Sequence, residues 1–308
     1  MMNRRKFAKA IAASMAAPQL LPRTAFAQGA KTTVRYWDFI DPKGANPRGR
    51  ALAEMIELFA KKRPDIEVKV EIMPWAQLEP MTIQAAAAGK TPDVVRMQLP
   101  TYGSVVAAGA LMPLDPFTSK VGPEFRNDFI LDWNATVWDG KKMALPWDHR
   151  AGLLWYRDDV LSQNGLAVPK TMAELTKVGQ ALAQRNQQGF VVSLSRSDQA
   201  FSVNEWFIPI IWAEGGEVLT KDGKPAFNSP AGVRAVELVA EMIRSKAMPT
   251  SVLSMGYEGV FQGVQAGTIS LASQGSHRVV SARTLAKLEG KLKTAPMPGF
   301  DKDKPAPP

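Results

Sequence analysis

The stretch TVRYWDFIDPKGANPRGRALAEMIELFAKKRPDIEVKVEI, residues 33–72, decides the fold class. Its first residues, Thr33-Val34-Arg35-Tyr36-Trp37, read as a β-strand. The loop that follows, Asp38 to Gly49, carries the breakers Pro42, Gly44 and Pro47. From Arg50 to Lys62 the apolar residues Leu52, Met55, Ile56, Phe59 and Ala60 have the spacing of an amphipathic helix, which Pro64 ends. Ile66 to Ile72 alternates apolar and charged residues, the period of a half-buried strand. Downstream the alternation continues: a helix over Leu78–Ala88 stopped by Gly89, a strand over Asp93–Met97, and a helix over Tyr102–Ala108 closed by Gly109. This β-α-β-α-β order predicts a parallel sheet flanked by helices.

A second set of elements follows. Lys142-Met143-Ala144-Leu145-Pro146 reads as a strand leaving the first sheet, and Gly152–Tyr156 as an apolar strand before a short helix opening at Asp158. Thr171 with Glu174 three residues on forms a capping box for a helix to Gln184. Pro209–Trp212 reads as buried and ends at Gly215-Gly216. Ser229 and Pro230 open a long helix, and a short helix over Glu258–Ala266 leads into a strand over Thr268–Ala272. No internal repeat is visible, and the proline- and charge-rich tail after Ala295 reads as a disordered terminus.

Upstream, Arg4, Arg5, Lys6 and Lys9 precede an apolar run from Ala8 to Leu21 and the small-x-small site Ala25-Phe26-Ala27. That is the order of an export signal cut before Gln28. Arg4-Arg5-Lys6-Phe7-Ala8-Lys9 resembles a twin-arginine signal, with an ordinary Sec signal as the alternative. The 308-residue chain has 38 basic and 29 acidic residues, a net charge of +9. Five of the basic residues lie in the signal, which leaves 33 basic against 29 acidic, or +4, in the mature chain. That mild, dispersed charge removes most support for nucleic-acid binding. Cysteine is absent and only His149 and His277 are present, which excludes thiol catalysis and argues against a histidine-rich zinc site.

Several segments in order resemble the family-1 extracellular solute-binding proteins of ABC importers. They are Tyr36-Trp37, Lys62-Arg63-Pro64-Asp65-Ile66, Ala86 to Val95, Gly109 to Asp115, Trp138 to Pro146, Leu154 to Asp159, Val168 to Leu175, and Phe261-Gln262-Gly263 through Leu271. The resemblance covers residues 34–300 and departs from the pattern at Arg157, where Asn is usual, and at Ser276-His277, where many members carry an aromatic residue. Family members also continue past Pro308, so the expectation is a chain that lacks part of its cover and exposes apolar surface.

The resemblance implies an α/β fold of the type II periplasmic-binding kind: two lobes, each a mainly parallel sheet flanked by helices, with a ligand cleft at the hinge. The expected division is a signal at 1–27, a first lobe over 28–147, a second over 148–272, and a return crossover to the first lobe over 273–308. The implied function is periplasmic capture of a sugar or related polar solute by a monomer and delivery to a permease, with neither catalysis nor a cofactor. An exported carbohydrate-active enzyme and a ligand-sensing subunit are the alternatives.

Candidate ligand contacts follow from strand ends and crossovers. Trp37 and Asp38 end the first strand, as stacking face and hydroxyl acceptor or as core and turn residues. Trp75 follows the second strand and Gln98 the third. Trp147, Asp148 and Arg150 lie at the first crossover, with an interlobe salt bridge as the alternative role. Trp206 and Trp212 flank an apolar run, one of them core, and Trp212 is the better cleft candidate. His277 lies at the second crossover. Arg96, Arg150 and Arg278 near strand ends keep acidic ligands open. No nucleophile elbow, zinc-protease or phosphate-loop pattern is present.

Overall fold

A computed structural model describes residues 31–44, 46–129, 132–185, 187–195, 202–301 and 306–307; the expected signal at 1–27 lies outside them. The first sheet has the order β2-β1-β3. Strand β1 (Thr32–Asp38) runs parallel to β2 (Ile66–Ile72), in register from Thr32 opposite Ile66 to Asp38 opposite Ile72. Strand β3 is only Val94–Val95, also parallel to β1.

The crossover helix α1 (Pro47–Lys62) starts three residues before its apolar periodicity does. Asn46 caps it by accepting from the Gly49 amide at 3.0 Å, and Pro47 occupies the first turn, so capping rather than hydrophobic spacing sets the start. Gly49 is required there: a Cβ would lie 2.4 Å from the Asp41 carbonyl. Helices α2 (Leu78–Ala87) and α3 (Leu99–Ala107) complete the parallel alternation.

The expected strand over 142–146 is replaced by a hairpin. Val137–Trp138 (β4) pairs antiparallel with Lys141–Lys142 (β5). The two-residue turn between them is Asp139-Gly140, both with positive φ (49° and 72°), the backbone that tight hairpins demand. Residues 143–151 then cross without regular structure to the second sheet.

That sheet has the order β7-β8-β6-β9, with β6 at Gly152–Arg157, β7 at Gln188–Val191, β8 at Ile269–Gly275 and β9 at Leu292–Ala295. It is mixed, not mainly parallel: β7 runs parallel to β8, while β6 is antiparallel to both β8 and β9. The cause is the crossover, which delivers Gly152 beside Gly275, the end of β8. Helices α4 (Asp158–Gln163), α5 (Met172–Ala183), α6 (Ile208–Ala213), α7 (Pro230–Arg244) and α8 (Tyr257–Gln265) cover it. Thr171 accepts from the Glu174 amide at 3.1 Å as the capping box requires. The unusual Arg157 forms a two-bonded pair with Asp159, at 2.8 and 2.6 Å.

The segment after 272 differs most from expectation. Instead of returning to the first sheet, it finishes β8, forms helix α9 (Val279–Ala286) and supplies β9, whose Ala295 pairs with Leu154. Gly299 accepts from the Met172 amide at 2.8 Å, and Met297 and Ala306 join the second core. Pairing with β9 occupies the otherwise open edge of β6, and sheets strongly favour closing such edges.

Candidate functional site

The site grows from the carboxyl end of β1. Strand alternation puts Tyr36 and Asp38 on one face and Trp37 on the other. Asp38 is fully buried. Its carboxylate accepts from the Tyr36 hydroxyl at 2.6 Å, from the Ile40 amide at 2.9 Å and from Arg96 Nη1 at 3.4 Å. A charge so removed from water persists only with such partners. Arg96, just past β3, also donates to Asp148 of the crossover and lies 4.6 Å over the Phe39 ring. Arg48, in the first turn of α1, reaches the same ring at 5.8 Å.

The crossover is tethered to both sheets. Asp148 binds Arg96 in the first lobe, whereas Arg150 Nε faces Glu205 Oε1 of the second at 3.2 Å. Trp147 is 53% exposed and meets Tyr36 edge-on, with ring centres 6.4 Å apart. Beyond Arg150, Ala151 and Ser276 exchange two hydrogen bonds, at 2.8 and 3.1 Å. This brings the end of β8 to the crossover.

Around that end the Tyr257 hydroxyl donates to Glu205 Oε2 at 2.9 Å and accepts from the Gly275 amide at 2.8 Å. Gly152 lets β6 pass close to Glu205, since a Cβ would meet its carbonyl at 2.2 Å. The His277 ring lies parallel to Tyr257, with centres 6.5 Å apart, and its Nδ1 is buried without a hydrogen-bond partner. Arg278 stacks 5.2 Å from Tyr257 and 4.7 Å from Phe261, and donates to Glu258 at 2.9 Å. Burial raises the Glu205 carboxyl pKa, against the opposing pull of Arg150 and the Tyr257 hydroxyl. Burial, then Arg150, Arg48, Arg278 and Arg96, push His277 down to about 3, so its ring is neutral near pH 7.

The structure therefore assembles Asp38, Trp147, Asp148, Arg150 and His277 around one junction. It does not bring Trp37 there. That indole is buried on the opposite face and donates to Glu71 Oε2 at 2.8 Å, where Arg35 also binds Glu71 through two bonds. Trp75 begins a 3-10 turn and is half-buried. Gln98 precedes α3 and its carbonyl accepts from Thr101. Trp212 closes on the last turn of α6 and is 45% exposed. Trp206 is core, 5.4 Å from Phe190. Sequence reasoning missed Tyr36, Arg48, Glu205 and Tyr257. The two-residue period from Asp38 was a signal for Tyr36; nothing local marked Glu205 or Tyr257.

Among the described residues no three His, Cys, Asp or Glu side chains are grouped to hold a metal, and no helix is long and apolar enough to cross a membrane. The sequence model of the family described as bacterial extracellular solute-binding protein matches residues 44–308. A Brucella abortus protein named as a binding protein is 24% identical over 229 residues, 72% of this chain and 54% of that protein. A Deinococcus radiodurans protein named "Probable ABC transporter-binding protein" is 29% identical over 182 residues, 56% of this chain and 42% of that protein. This chain thus spans about half the length of the curated relatives it matches. Among solved structures, the GacH receptor of Streptomyces glaucescens, crystallised unliganded and with acarbose, superposes with a TM-score of 0.71. It is 25% identical and the match covers 87% of this chain and 67% of that one.

Proposed function

The chain belongs to the bacterial extracellular solute-binding proteins, and from that premise we propose that it captures a sugar or related polar solute between its two lobes for delivery to an ABC permease. In this reading residues 1–27 direct export to the periplasm. The observation that carries it is the junction itself. The ends of β1 and β8 and the crossover residues Trp147 to Arg150 converge, with an exposed indole beside fixed carboxylates and guanidinium groups. An indole face suits the C–H surface of a sugar, and the charged groups suit its hydroxyls. That Asp148 and Arg150 each hold a different lobe supports a hinge role for the same stretch, and a solute bound there would favour the closed arrangement.

A thermal-shift screen of the purified protein against mono- and disaccharides, sugar acids and polyols tests the reading. A ligand that binds only the folded state must raise the melting temperature. One solute class should do so and be recovered chemically intact. A sharp transition that no solute moves, or turnover of a glycoside, would contradict it.

A further inference from the structure

Four guanidinium groups reach the junction from four separate segments: Arg48 in the first turn of α1, Arg96 after β3, Arg150 in the crossover and Arg278 before α9. Two rings collect three of them. Phe39 lies under Arg96 and Arg48, and Tyr257 lies against Arg278 and His277. The carboxylates of the region are committed: Asp38 and Asp148 to Arg96, Glu205 to Arg150 and Tyr257, Glu258 to Arg278. Among the described ion pairs none includes Arg48. Burial, then the charges of Arg96 and Arg278, lowers the pKa of this half-buried guanidinium. Like charges so crowded repel unless a counter-charge is supplied. Four carboxylates match the four guanidinium groups in number, but two of them go to Arg96, so Arg48 is the one left outside the ion pairs described. Neither α1 nor α9 has an acidic residue in its first turn to offset the positive end of the helix, where Arg48 and Arg278 respectively stand.

We propose that the captured solute is anionic, a sugar or polyol bearing a carboxylate or phosphate, with Arg48, the guanidinium outside the described ion pairs, as its principal partner. This rests on the junction being the solute-binding cleft. Among the described residues no acid forms an ion pair with Arg48, whose planar fork can receive a carboxylate or phosphate through two bonds. A neutral solute leaves that charge unanswered.

The test is calorimetric titration of the purified protein with glucose, galactose and mannose, each beside its uronic acid and its 6-phosphate. At least one anionic member should bind about tenfold or more tightly than its neutral parent, the worth of one charge-assisted bond. Preference for the acid identifies a carboxylate and preference for the ester a phosphate. In Arg48→Gln the anion-to-neutral ratio should fall to near one, and in Arg48→Lys it should recover in part, with cooperative unfolding retained in both. If neutral sugars bind as tightly as their anionic partners, the anion assignment is overturned while solute capture stands. If a cooperatively folded protein binds no member of the panel nor any solute of the thermal-shift screen, both readings fall together.

Discussion

Among the described residues the second lobe closes around a cluster of 31 buried hydrophobic side chains, whereas the cluster of the first consists of Tyr36, Ile40 and Leu52. Both are strands crossed by amphipathic helices, yet in the first the burial is divided: Leu52 of α1 joins that cluster, while Leu78 of α2 and Tyr102, Val105 and Val106 of α3 are buried outside it. Helix α1 turns Leu52 inward and leaves Leu58, Met55 and Phe59 largely exposed. Polar constraints add to the order of the first lobe: Asp38 held by Tyr36 and Arg96, and Glu71 held by Arg35 and Trp37. The difference teaches that a correct secondary-structure pattern does not guarantee a core. Regions with little buried apolar contact open at lower free energy, so the first lobe is the one whose order a ligand can most affect.

Core truncations give the largest contrast. Phe190→Ala, at a fully buried site of the second lobe, should lower stability by about 3–5 kcal/mol in urea unfolding. Leu52→Ala should stay near the low end of such losses, about 2 kcal/mol, because fewer neighbours surround the void. Equal losses would break the comparison.

A polar substitution in the first lobe should rival the aromatic one. Arg96→Met strands the buried Asp38 and should cost about 3–5 kcal/mol; adding Asp38→Asn should recover much of it. Asp148→Asn removes the exposed partner of the same arginine and should cost no more than about 1 kcal/mol. Helix caps come next and should not distinguish the lobes: Asn46→Ala and Thr171→Ala each remove an observed cap bond and should each cost about 1 kcal/mol by the same measurement.

Acid should affect the lobes in different windows, as the smallest effect. His277 is depressed to about 3 in the folded protein from an ordinary 6.5. The unfolded chain therefore takes up its proton first, and this contribution is lost as pH falls from 6.5 toward 3. Glu71, held to about 2 by Arg35 and Trp37 against an ordinary 4.5, loses its contribution only between 4.5 and 2. Melting temperatures of His277→Gln and Glu71→Gln across pH 2.5–8 should show each window flattened in turn. The same window in both variants would refute the assignment.

Much of the fold was legible because local signals carried it. Alternation gave β2 from Ile66 to Ile72, and Thr171 and Ser229 marked their helices by capping. What escaped depends on distant partners. The short run at Gln188–Val191 is a strand because β8 lies beside it, and Leu292–Ala295 is one because β6 offers an open edge. Residues 142–146 were misread because the Asp139-Gly140 turn already committed Lys141 and Lys142 to a hairpin. In the site, the crossover stretch announced itself by its unusual Trp-Asp-His-Arg run. Glu205 and Tyr257 did not, since only the tertiary fold brings a residue 55 positions after Arg150 to its side. For Trp37 the sequence left a stacking and a core role open, because a position at a strand end does not by itself tell which way the side chain faces.

The most direct test of the central claim, that solute is held between the lobes, is amide hydrogen exchange with and without the solute that most raises the melting temperature. Added protection is expected in both lobes at once, at residues 38–40 and 96–98 on one side and 275–278 on the other, with the crossover at 146–151 joining them. Protection confined to one lobe, or appearing only on the outer helices α5 and α7, would contradict it.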